Sequence, residues 1–219
     1  MILLLNPNIS ASVTRDMVAI AQDCAPGLTV QGMTAPFGAP IISTPNALQQ
    51  GAEAVAAMIR DLPLGTRAAI SAAFGDPGLD AMRAALDIPV AGIGEASFLE
   101  AAQDDRPWAI ATTTPALEDA IAARVTATGV ARNYLGCRMT PGDPLALSFQ
   151  PQALQDALAQ AIERAVADGA EAVVIGGGPL AMAARALAPQ FAVPIIEPIP
   201  AAIRLIRQRL DQAAAGSGA

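Results

Sequence analysis

The chain repeats one α/β unit, and this repeat is the feature that most limits its fold. An apolar run that begins at Ala68 ends in the turn Ala-Phe-Gly-Asp-Pro-Gly, and a second, from Ala172, ends in Ile-Gly-Gly-Gly-Pro. In both copies a glutamate follows the proline after 18 residues, at Glu95 and at Glu197. Apolar runs that end in glycine and proline are typical of buried strands that turn into helices. The sequence therefore predicts two similar α/β halves.

The two halves contain short apolar runs that alternate with helical patterns. Strands are predicted at Ile2–Leu5, Leu28–Met33, Ala68–Ala73, Val90–Ile93, Trp108–Ala111, Asn133–Cys137, Ala172–Ile175 and Val193–Ile196. Helices are predicted from Ser10 or Ser12 to Cys24, from Pro45 to Asp61, from Pro115 to Ala127, from Pro151 to Gly169 and from Pro200 to Leu210. This alternation indicates an α/β fold with two parallel sheets, each flanked by helices. We expect a first half at residues 1–105 and a second at 106–219, with the last helix packing back on the first half.

Charge and residue usage exclude several function classes. The net charge is -7 without a basic run, which argues against a nucleic-acid partner. All 13 basic residues are arginines, and the sequence contains no lysine and no histidine. Lysine Schiff bases, histidine general bases and Ser-His triads are therefore excluded. No apolar run approaches the length of a membrane span, and we expect no membrane partner. A small-molecule substrate fits this composition, and the alanine-rich, apolar chain is compatible with a homo-oligomer.

The cysteines and glycine turns predict neither a metal nor a cofactor. Cys24 and Cys137 are far apart and lack the spacing of metal ligands or of a disulfide framework. A reducing, cytoplasmic location fits two such cysteines. The turns lack the patterns Gly-x-Gly-x-x-Gly and Walker A, so a nucleotide is not expected.

The candidate binding residues follow the first, third, fifth and seventh strands. The carboxyl ends of parallel strands gather at one edge, where ligands of α/β proteins bind. Between the halves we therefore expect one cleft, with hydrogen-bonding side chains and with glycine turns that offer backbone N–H groups to a carboxylate or an imide carbonyl. The predicted substrate-binding residues are Asn8, Ala73, Phe74, Gly75, Thr112, Thr113, Gly177 and Gly178.

Three of these side chains also have structural interpretations. Asn8 fits an Asx turn as well as a substrate contact. Thr112 and Thr113 could both cap the helix at Pro115, and we expect one to cap it and the other to bind substrate.

The acidic residues near this cleft are the candidate catalytic groups. Asp76 precedes a predicted helix start, where aspartate is a good N-cap, and we favour that role over catalysis. Glu95 and Glu197 follow the fourth strand of each half, either as a catalytic carboxylate pair or as groups that orient backbone N–H groups. We favour the orienting role, because a carboxylate base needs desolvation or a like-charged neighbour to raise its pKa.

Four motifs in order along the chain resemble hydantoin racemases, within the aspartate/glutamate racemase superfamily. They are Asn-Pro-Asn-x-Ser at 6–10, Phe-Gly-Asp-Pro-Gly-Leu at 74–79, Pro-Val-x-Gly-Ile-Gly-Glu-Ala at 89–96 and Val-Ile-Gly at 174–176. The resemblance implies two pseudosymmetric halves with the substrate between two cysteines, one of which removes the α-proton while the other returns a proton on the opposite face. It implies no metal or organic cofactor.

Both of those cysteine positions are substituted in this chain, by Ala73 and Gly177. A methyl group and a hydrogen atom cannot transfer protons, so the family mechanism does not apply intact. The sequence leaves three functions open. They are a cofactor-independent racemase or epimerase of a small hydantoin, ureide or carboxylate, a hydrolase, lyase or cis-trans isomerase that uses the carboxylates, and a ligand-binding homologue without turnover.

Overall fold

The computed structural model, which describes residues 1–177 and 180–216, contains two four-stranded parallel sheets. The strand order is β2-β1-β3-β4 in the first sheet and β6-β5-β7-β8 in the second. The strands are β1 Ile2–Asn6, β2 Val30–Thr34, β3 Ala68–Ser71, β4 Val90–Gly92, β5 Trp108–Thr112, β6 Tyr134–Met139, β7 Ala172–Ile175 and β8 Ile195–Ile196. The predicted α/β class with two parallel sheets is confirmed, and the identical strand order reflects the sequence repeat.

The register of the strand pairs shows which residues of the two sheets are equivalent. Ile2 pairs with Ala68 in the first sheet, and Trp108 pairs with Ala172 in the second. Positions counted from the starts of β1 and β5, or of β3 and β7, are therefore equivalent between the halves. All six strand pairs within these sheets are parallel, so the loops after β1, β3, β5 and β7 emerge at the carboxyl edge of their sheets.

Helices connect the strands and cover both sheets. They are α1 Ala11–Asp23, α2 Pro45–Met58, α3 Leu79–Ala85, α4 Ile93–Ala101, α5 Glu118–Thr128, α6 Pro144–Ser148, α7 Pro151–Ala167, α8 Ala181–Leu187 and α9 Pro198–Gly216. Ser10 and Thr44 cap α1 and α2 by accepting hydrogen bonds from backbone N–H groups three residues on. Gly129 ends α5 in the left-handed conformation, with φ 82°.

One apolar core joins the two halves. It contains Leu4 and Ile70 from the first sheet, Trp108 and Val174 from the second, and Phe98 from α4, all buried. Two further apolar clusters lie on the outer faces of the sheets. The halves therefore share buried surface, which holds the carboxyl edges of the two sheets in a fixed relation.

The last helix, α9, packs against α4 and α1, and also against β4 and β3. Arg204 on α9 forms a two-pronged ion pair with Glu100 on α4, with N···O distances of 2.7–2.9 Å. These contacts place the C-terminal helix on the first half. The division of the chain at residues 105 and 106 stays a prediction.

Within residues 1–177 and 180–216, no helix combines the length and the apolar character needed to cross a bilayer.

Candidate active site

A cleft between the two sheets is lined by the loops that follow β1, β3, β5 and β7. It holds about 700 Å³ of space, its open mouth included. Its polar lining consists of Asn8, Thr113, Thr114 and Ser148, and its remaining lining is apolar or backbone. This is the position expected for the site from the carboxyl ends of the strands.

Ala73 and Gly177 occupy equivalent positions in the two halves, and both line the cleft. Each is the second residue after its strand, β3 or β7, and the two strands lie in the same register against β1 and β5. The cleft therefore presents two related walls to a ligand, as the repeat in the sequence suggested. Gly178 falls outside the described residues.

The two cleft positions differ in what they can accept. Ala73 already carries a β-carbon. Gly177 has φ 145°, a conformation that L residues rarely adopt, and an added β-carbon would lie 3.2 Å from Cγ of Leu180. A side chain at position 177 therefore requires a change in the local backbone, whereas a somewhat larger side chain at position 73 does not.

Asn8 is held in the cleft wall by its own loop. The side-chain amide of Asn6, the last residue of β1, donates to Oδ1 of Asn8 at 2.9 Å, and the backbone N–H of Ser10 donates to the same oxygen at 2.9 Å. The backbone N–H of Asn8 donates to Oδ1 of Asn6 at 3.2 Å. Within the described ranges the Asn8 Nδ2 has no protein acceptor, so it is available to a ligand.

Thr114 repeats the position of Asn8 in the second half. Each residue is the second one after the end of its central strand, β1 or β5, and the hydroxyl of Thr112, the last residue of β5, lies 3.3 Å from that of Thr114. The Thr112 hydroxyl also donates to the Gly176 carbonyl at 2.8 Å, which fixes the glycine turn. Sequence reasoning missed Thr114, although the register of the repeat relative to Asn8 could have identified it.

Thr113 lines the cleft, whereas Thr112 does not. Neither side chain caps the 3-10 turn that begins at Pro115, because the N-cap residue is Thr114 and it makes no capping bond. The prediction that one of the two threonines caps this helix is wrong, since the Thr112 hydroxyl bonds the glycine turn instead. The Thr113 hydroxyl makes no hydrogen bond within residues 1–177 and 180–216 and is left for a ligand.

Phe74 lines the cleft, and its ring lies close to Gly176 of the opposite half. Its ring packs edge-to-face on Phe98, with centroids 5.3 Å apart, and Phe98 stacks on Trp108 at 5.6 Å. A β-carbon at Gly176 would lie 2.5 Å from Cε1 of Phe74. Glycine at 176 is therefore required by the close approach of the ring. Gly75, with φ 91°, continues the turn but does not line the cleft.

Asp76 is fully buried and caps a helix, but not the one that the sequence suggested. Its oxygens accept hydrogen bonds of 2.7 Å from the backbone N–H groups of Gly94 and Glu95, at the start of α4. The short α3 that follows Asp76 begins after Gly78 and has no side-chain cap. Burial raises the pKa of Asp76 to about 7, against the lowering effect of the two N–H bonds. Asp76 does not line the cleft.

Glu95 lies in an ion-pair cluster away from the cleft. Arg83 of α3 and Arg209 of α9 donate to its carboxylate at 2.5 Å and 2.8 Å, and the backbone N–H of Gly92 donates to it at 3.3 Å. Burial alone would raise the pKa of Glu95, but the hydrogen bond and charge of Arg209, with the charge of Arg83, hold it below the ordinary value. The bond from the Gly92 N–H is of the orienting kind, and the choice between an orienting and a catalytic role for Glu95 stays a prediction.

Glu197 is not the structural equivalent of Glu95, and the predicted equivalence is wrong. The register of β8 against β7 matches Ile195 with Val90 of β4, so Glu197 corresponds to Gly92. Equal spacing from the prolines was misleading, because the stretch from the proline to the fourth strand is longer in the second half. It is 13 residues from Pro77 to Val90 and 16 from Pro179 to Ile195. Glu197 lies 3.6 Å from the Nε atom of Arg185 and outside the cleft lining.

The described lining of the cleft contains no aspartate, glutamate, arginine, cysteine or tyrosine. The catalytic assignment of Asp76, Glu95 and Glu197 stays a prediction, and their positions do not favour it. Cys137 lies on β6, where burial raises the pKa of its thiol to about 11, and Cys24 follows the end of α1. Across the described ranges no cluster of three or more histidine, cysteine, aspartate or glutamate residues is placed to hold a metal ion.

Comparison with known proteins gives consistent matches over nearly the whole chain. Residues 2–206 match the model of the family described as Asp/Glu/Hydantoin racemase. Hydantoin racemases of Paenarthrobacter aurescens and Rhizobium meliloti are 29% and 30% identical, over 93% and 92% of this chain and 88% and 85% of their own lengths. The crystal structure of allantoin racemase from Pseudomonas fluorescens superimposes with a TM-score of 0.91 at 25% identity, covering 97% of this chain and 91% of that one.

Proposed function

The chain belongs to the Asp/Glu/hydantoin racemase family, and from this premise we propose that it racemises an uncharged, ring-shaped amino-acid derivative of the hydantoin or ureide type. Membership places it among isomerases of the racemase type. The observation that carries the proposal is a cleft whose described lining combines two equivalent small residues, Ala73 and Gly177, with uncharged hydrogen-bond donors and contains no charged side chain. The proposed reaction uses no cofactor and does not depend on the two family cysteines.

The lining of the cleft favours a neutral substrate over an amino acid. A free carboxylate that is removed from water needs a cationic partner or several charge-assisted hydrogen bonds. The described lining offers only uncharged donors, among them the side chains of Asn8 and Thr113. A hydantoin ring presents carbonyl oxygens and N–H groups of the matching kind. The two named relatives that act on hydantoins, and the structure named for allantoin, are consistent with this class.

The proposed chemistry is a proton exchange with water on both faces of the ring. Carbon 5 of a hydantoin lies between a carbonyl and a ring nitrogen, so loss of its proton to hydroxide moves the electron pair of the C–H bond onto the carbonyl oxygen. The Asn8 amide and the Thr113 hydroxyl donate to this developing oxyanion. A water molecule on the opposite face then returns a proton to carbon 5. The small side groups at positions 73 and 177 leave room for water on either face.

The test is proton NMR in deuterium oxide with single enantiomers of 5-substituted hydantoins and allantoin, with aspartate and glutamate as charged comparisons. We expect loss of the carbon-5 proton signal together with loss of optical rotation for the rings, and no reaction of the amino acids. Because hydroxide is the base in this scheme, the rate rises with pH without a bell-shaped optimum. Exchange no faster than in protein-free buffer would refute the activity.

Asn8→Ala tests the oxyanion contact, and Asn46→Ala is its matched control. Asn46 is an exposed asparagine on α2, outside the cleft lining. Removal of one donor to an oxyanion lowers kcat by about a hundredfold or more, so Asn8→Ala is expected to lose that much while Asn46→Ala keeps the wild-type rate. Equal rates in the two variants would remove Asn8 from the mechanism.

One observation favours a second candidate, a ligand-binding homologue without turnover. The described cleft lining lacks any group that titrates near neutrality, and a binding protein needs none. In that case a hydantoin would raise the melting temperature of the protein with the logarithm of its concentration above the dissociation constant, while its carbon-5 proton would exchange no faster than in buffer.

The cytoplasmic location and the homo-oligomer predicted from the sequence are part of this proposal. Cys24 and Cys137 are both free thiols, which suits a reducing compartment.

A further inference from the structure

Asn6, the last residue of β1, is a fully buried polar residue in contact with the cleft wall. Its Nδ2 atom donates to Oδ1 of Asn8 and to the hydroxyl of Thr14, each at 2.9 Å, and to the carbonyl of Ser10 at 3.2 Å. Its Oδ1 atom accepts from the backbone N–H of Asn8 at 3.2 Å. The hydroxyl of Thr14 lies 2.7 Å from that of Thr34, which ties this network to β2. The Asn6 amide is therefore held at both of its polar atoms.

Backbone groups fix which way the two asparagine amides point. A backbone N–H only donates and a carbonyl only accepts. The N–H of Asn8 therefore requires Oδ1 of Asn6 on one side of the amide, and the carbonyl of Ser10 requires Nδ2 on the other. With Asn6 oriented in this way, its Nδ2 and the backbone N–H of Ser10 both donate to Oδ1 of Asn8. A turned Asn8 amide would set its own N–H groups against these two donors, so Nδ2 of Asn8 is kept as the atom that faces a ligand.

The equivalent residue of the second half does not supply such a donor. Thr112 stands at the position of Asn6, and Thr114 at that of Asn8. A hydroxyl carries one proton, and the Thr112 hydroxyl donates it to the Gly176 carbonyl at 2.8 Å. Thr112 therefore has no proton left for Thr114, 3.3 Å away. Of the two equivalent strands, only β1 ends in a residue that donates to the side chain two positions on.

We infer that Asn6 is a positioning residue, which holds the Asn8 amide with its donor nitrogen toward the ligand and thereby makes the site select a hydrogen-bond acceptor at that point. The inference rests on the proposed function and extends it, because the donation from Asn8 to the oxyanion then depends on a residue outside the cleft lining. A ring carbonyl supplies the acceptor. A ring N–H at the same point is rejected, because two donors would meet there.

Asn6→Asp tests this role with a side chain of the same shape. The protonated carboxyl has one O–H that replaces the donation to Asn8, whereas the ionised carboxylate has no donor and repels Oδ1 of Asn8. Because the site is fully buried and the partners of Asn6 named above are uncharged, burial is expected to raise the pKa of the introduced carboxyl. The rate of hydantoin proton exchange in the variant, divided by the wild-type rate, should be near one at low pH and fall about tenfold as this carboxyl ionises.

Three comparisons distinguish positioning from a general structural effect. Asn6→Leu has no donor at any pH and should show the lowered ratio throughout. Asn46→Asp, at the exposed asparagine of α2, should keep a ratio of one at every pH. In an Asn8→Ala background, Asn6→Asp should lower the rate no further, because the contact through which Asn6 acts is already lost.

The contrary outcomes separate this role from the proposed function. If the carbon-13 signal of the introduced carboxyl titrates without a change in the rate ratio, or if Asn6→Leu keeps a ratio near one, the positioning role is overturned and the proposed function stands. A further loss of rate in the Asn8→Ala background overturns it as well.

If the wild-type protein exchanges no hydantoin proton, the proposed function fails, and nitrogen-15 NMR decides the positioning role by itself. The side-chain amide signal of Asn8, assigned by its absence in Asn8→Ala, should shift as the carboxyl of Asn6→Asp ionises and stay constant in the wild type over the same pH range. An Asn8 signal that does not respond to this ionisation would overturn the inference.

Discussion

Gly176→Ala is expected to destabilise the protein through one specific clash. The added methyl group would lie 2.5 Å from Cε1 and 2.7 Å from Cζ of the Phe74 ring, about 1 Å inside ordinary van der Waals contact. Phe74 is 7% exposed and packs on Phe98, so a shift of its ring away from the methyl group disturbs that aromatic contact. Overpacking of this kind costs about 1–3 kcal/mol, which for a chain of this size lowers the melting temperature by roughly 2–12 °C.

A double-mutant cycle measured by urea unfolding isolates the contact between the two residues. In a Phe74→Ala background the added methyl group meets no ring, so Gly176→Ala should then cost nothing and the coupling free energy should equal the cost of the single substitution. Phe74→Leu provides a milder background if the alanine variant is too unstable. Gly216→Ala, at a helical glycine with open space around its β-carbon position, is the control and should be neutral or slightly stabilising. The reasoning fails if Gly176→Ala costs the same with and without the Phe74 ring.

Three further predictions concern two buried carboxylates and one of the two family cysteine positions. Burial raises the pKa of Asp76 from 3.8 to about 7, so protonation of this group stabilises the folded state. Its contribution to the free energy of unfolding therefore falls by about 2–3 kcal/mol between pH 5 and pH 8. Urea titrations should show that Asp76→Asn removes this fall and that Asp87→Asn, an exposed control, keeps it. Arg209→Met removes one of the cations that pair with the buried Glu95 and should lower the free energy of unfolding by about 3–5 kcal/mol. The double variant with Glu95→Gln should recover much of this loss, and equal instability of the single and double variants would contradict the prediction. Ala73→Cys places a thiol on one face of the cleft only, so NMR should show faster exchange of the hydantoin carbon-5 proton without a matching gain in racemisation. Unchanged exchange would count against the position of residue 73 beside carbon 5.

The fold and the position of the cleft were predictable because they depend on local patterns. All eight strands occur within a few residues of their predicted positions, since each is a short apolar run bounded by turn residues. The family suggested by the four motifs is confirmed by the match over residues 2–206. The helices α4 and α6 were missed, and no range was predicted for α3 or α8, because all four are short, with five to nine residues.

The chemistry of individual carboxylates was not predictable, because it depends on partners distant in sequence. Arg209, which donates to Glu95, lies 114 residues further along the chain. Asp76 caps a helix through an N–H group that lies 18 residues after it. No spacing rule in the sequence indicates either contact. The equal proline-to-glutamate spacing suggested a symmetric pair, but the register of the two sheets shows that Glu197 corresponds to Gly92.

The position of α9 also affects the order in which the chain can fold during synthesis. Arg209 donates to Glu95 and to the backbone carbonyl of Val90, so the first half receives one of its cations from a residue that is synthesised 114 residues after Glu95. Amino-terminal halves of repeated chains usually fold as units while translation continues. Here the first half would hold a buried carboxylate with an incomplete set of partners until Arg209 has been synthesised. The first half therefore reaches its final form only after α9 has left the ribosome.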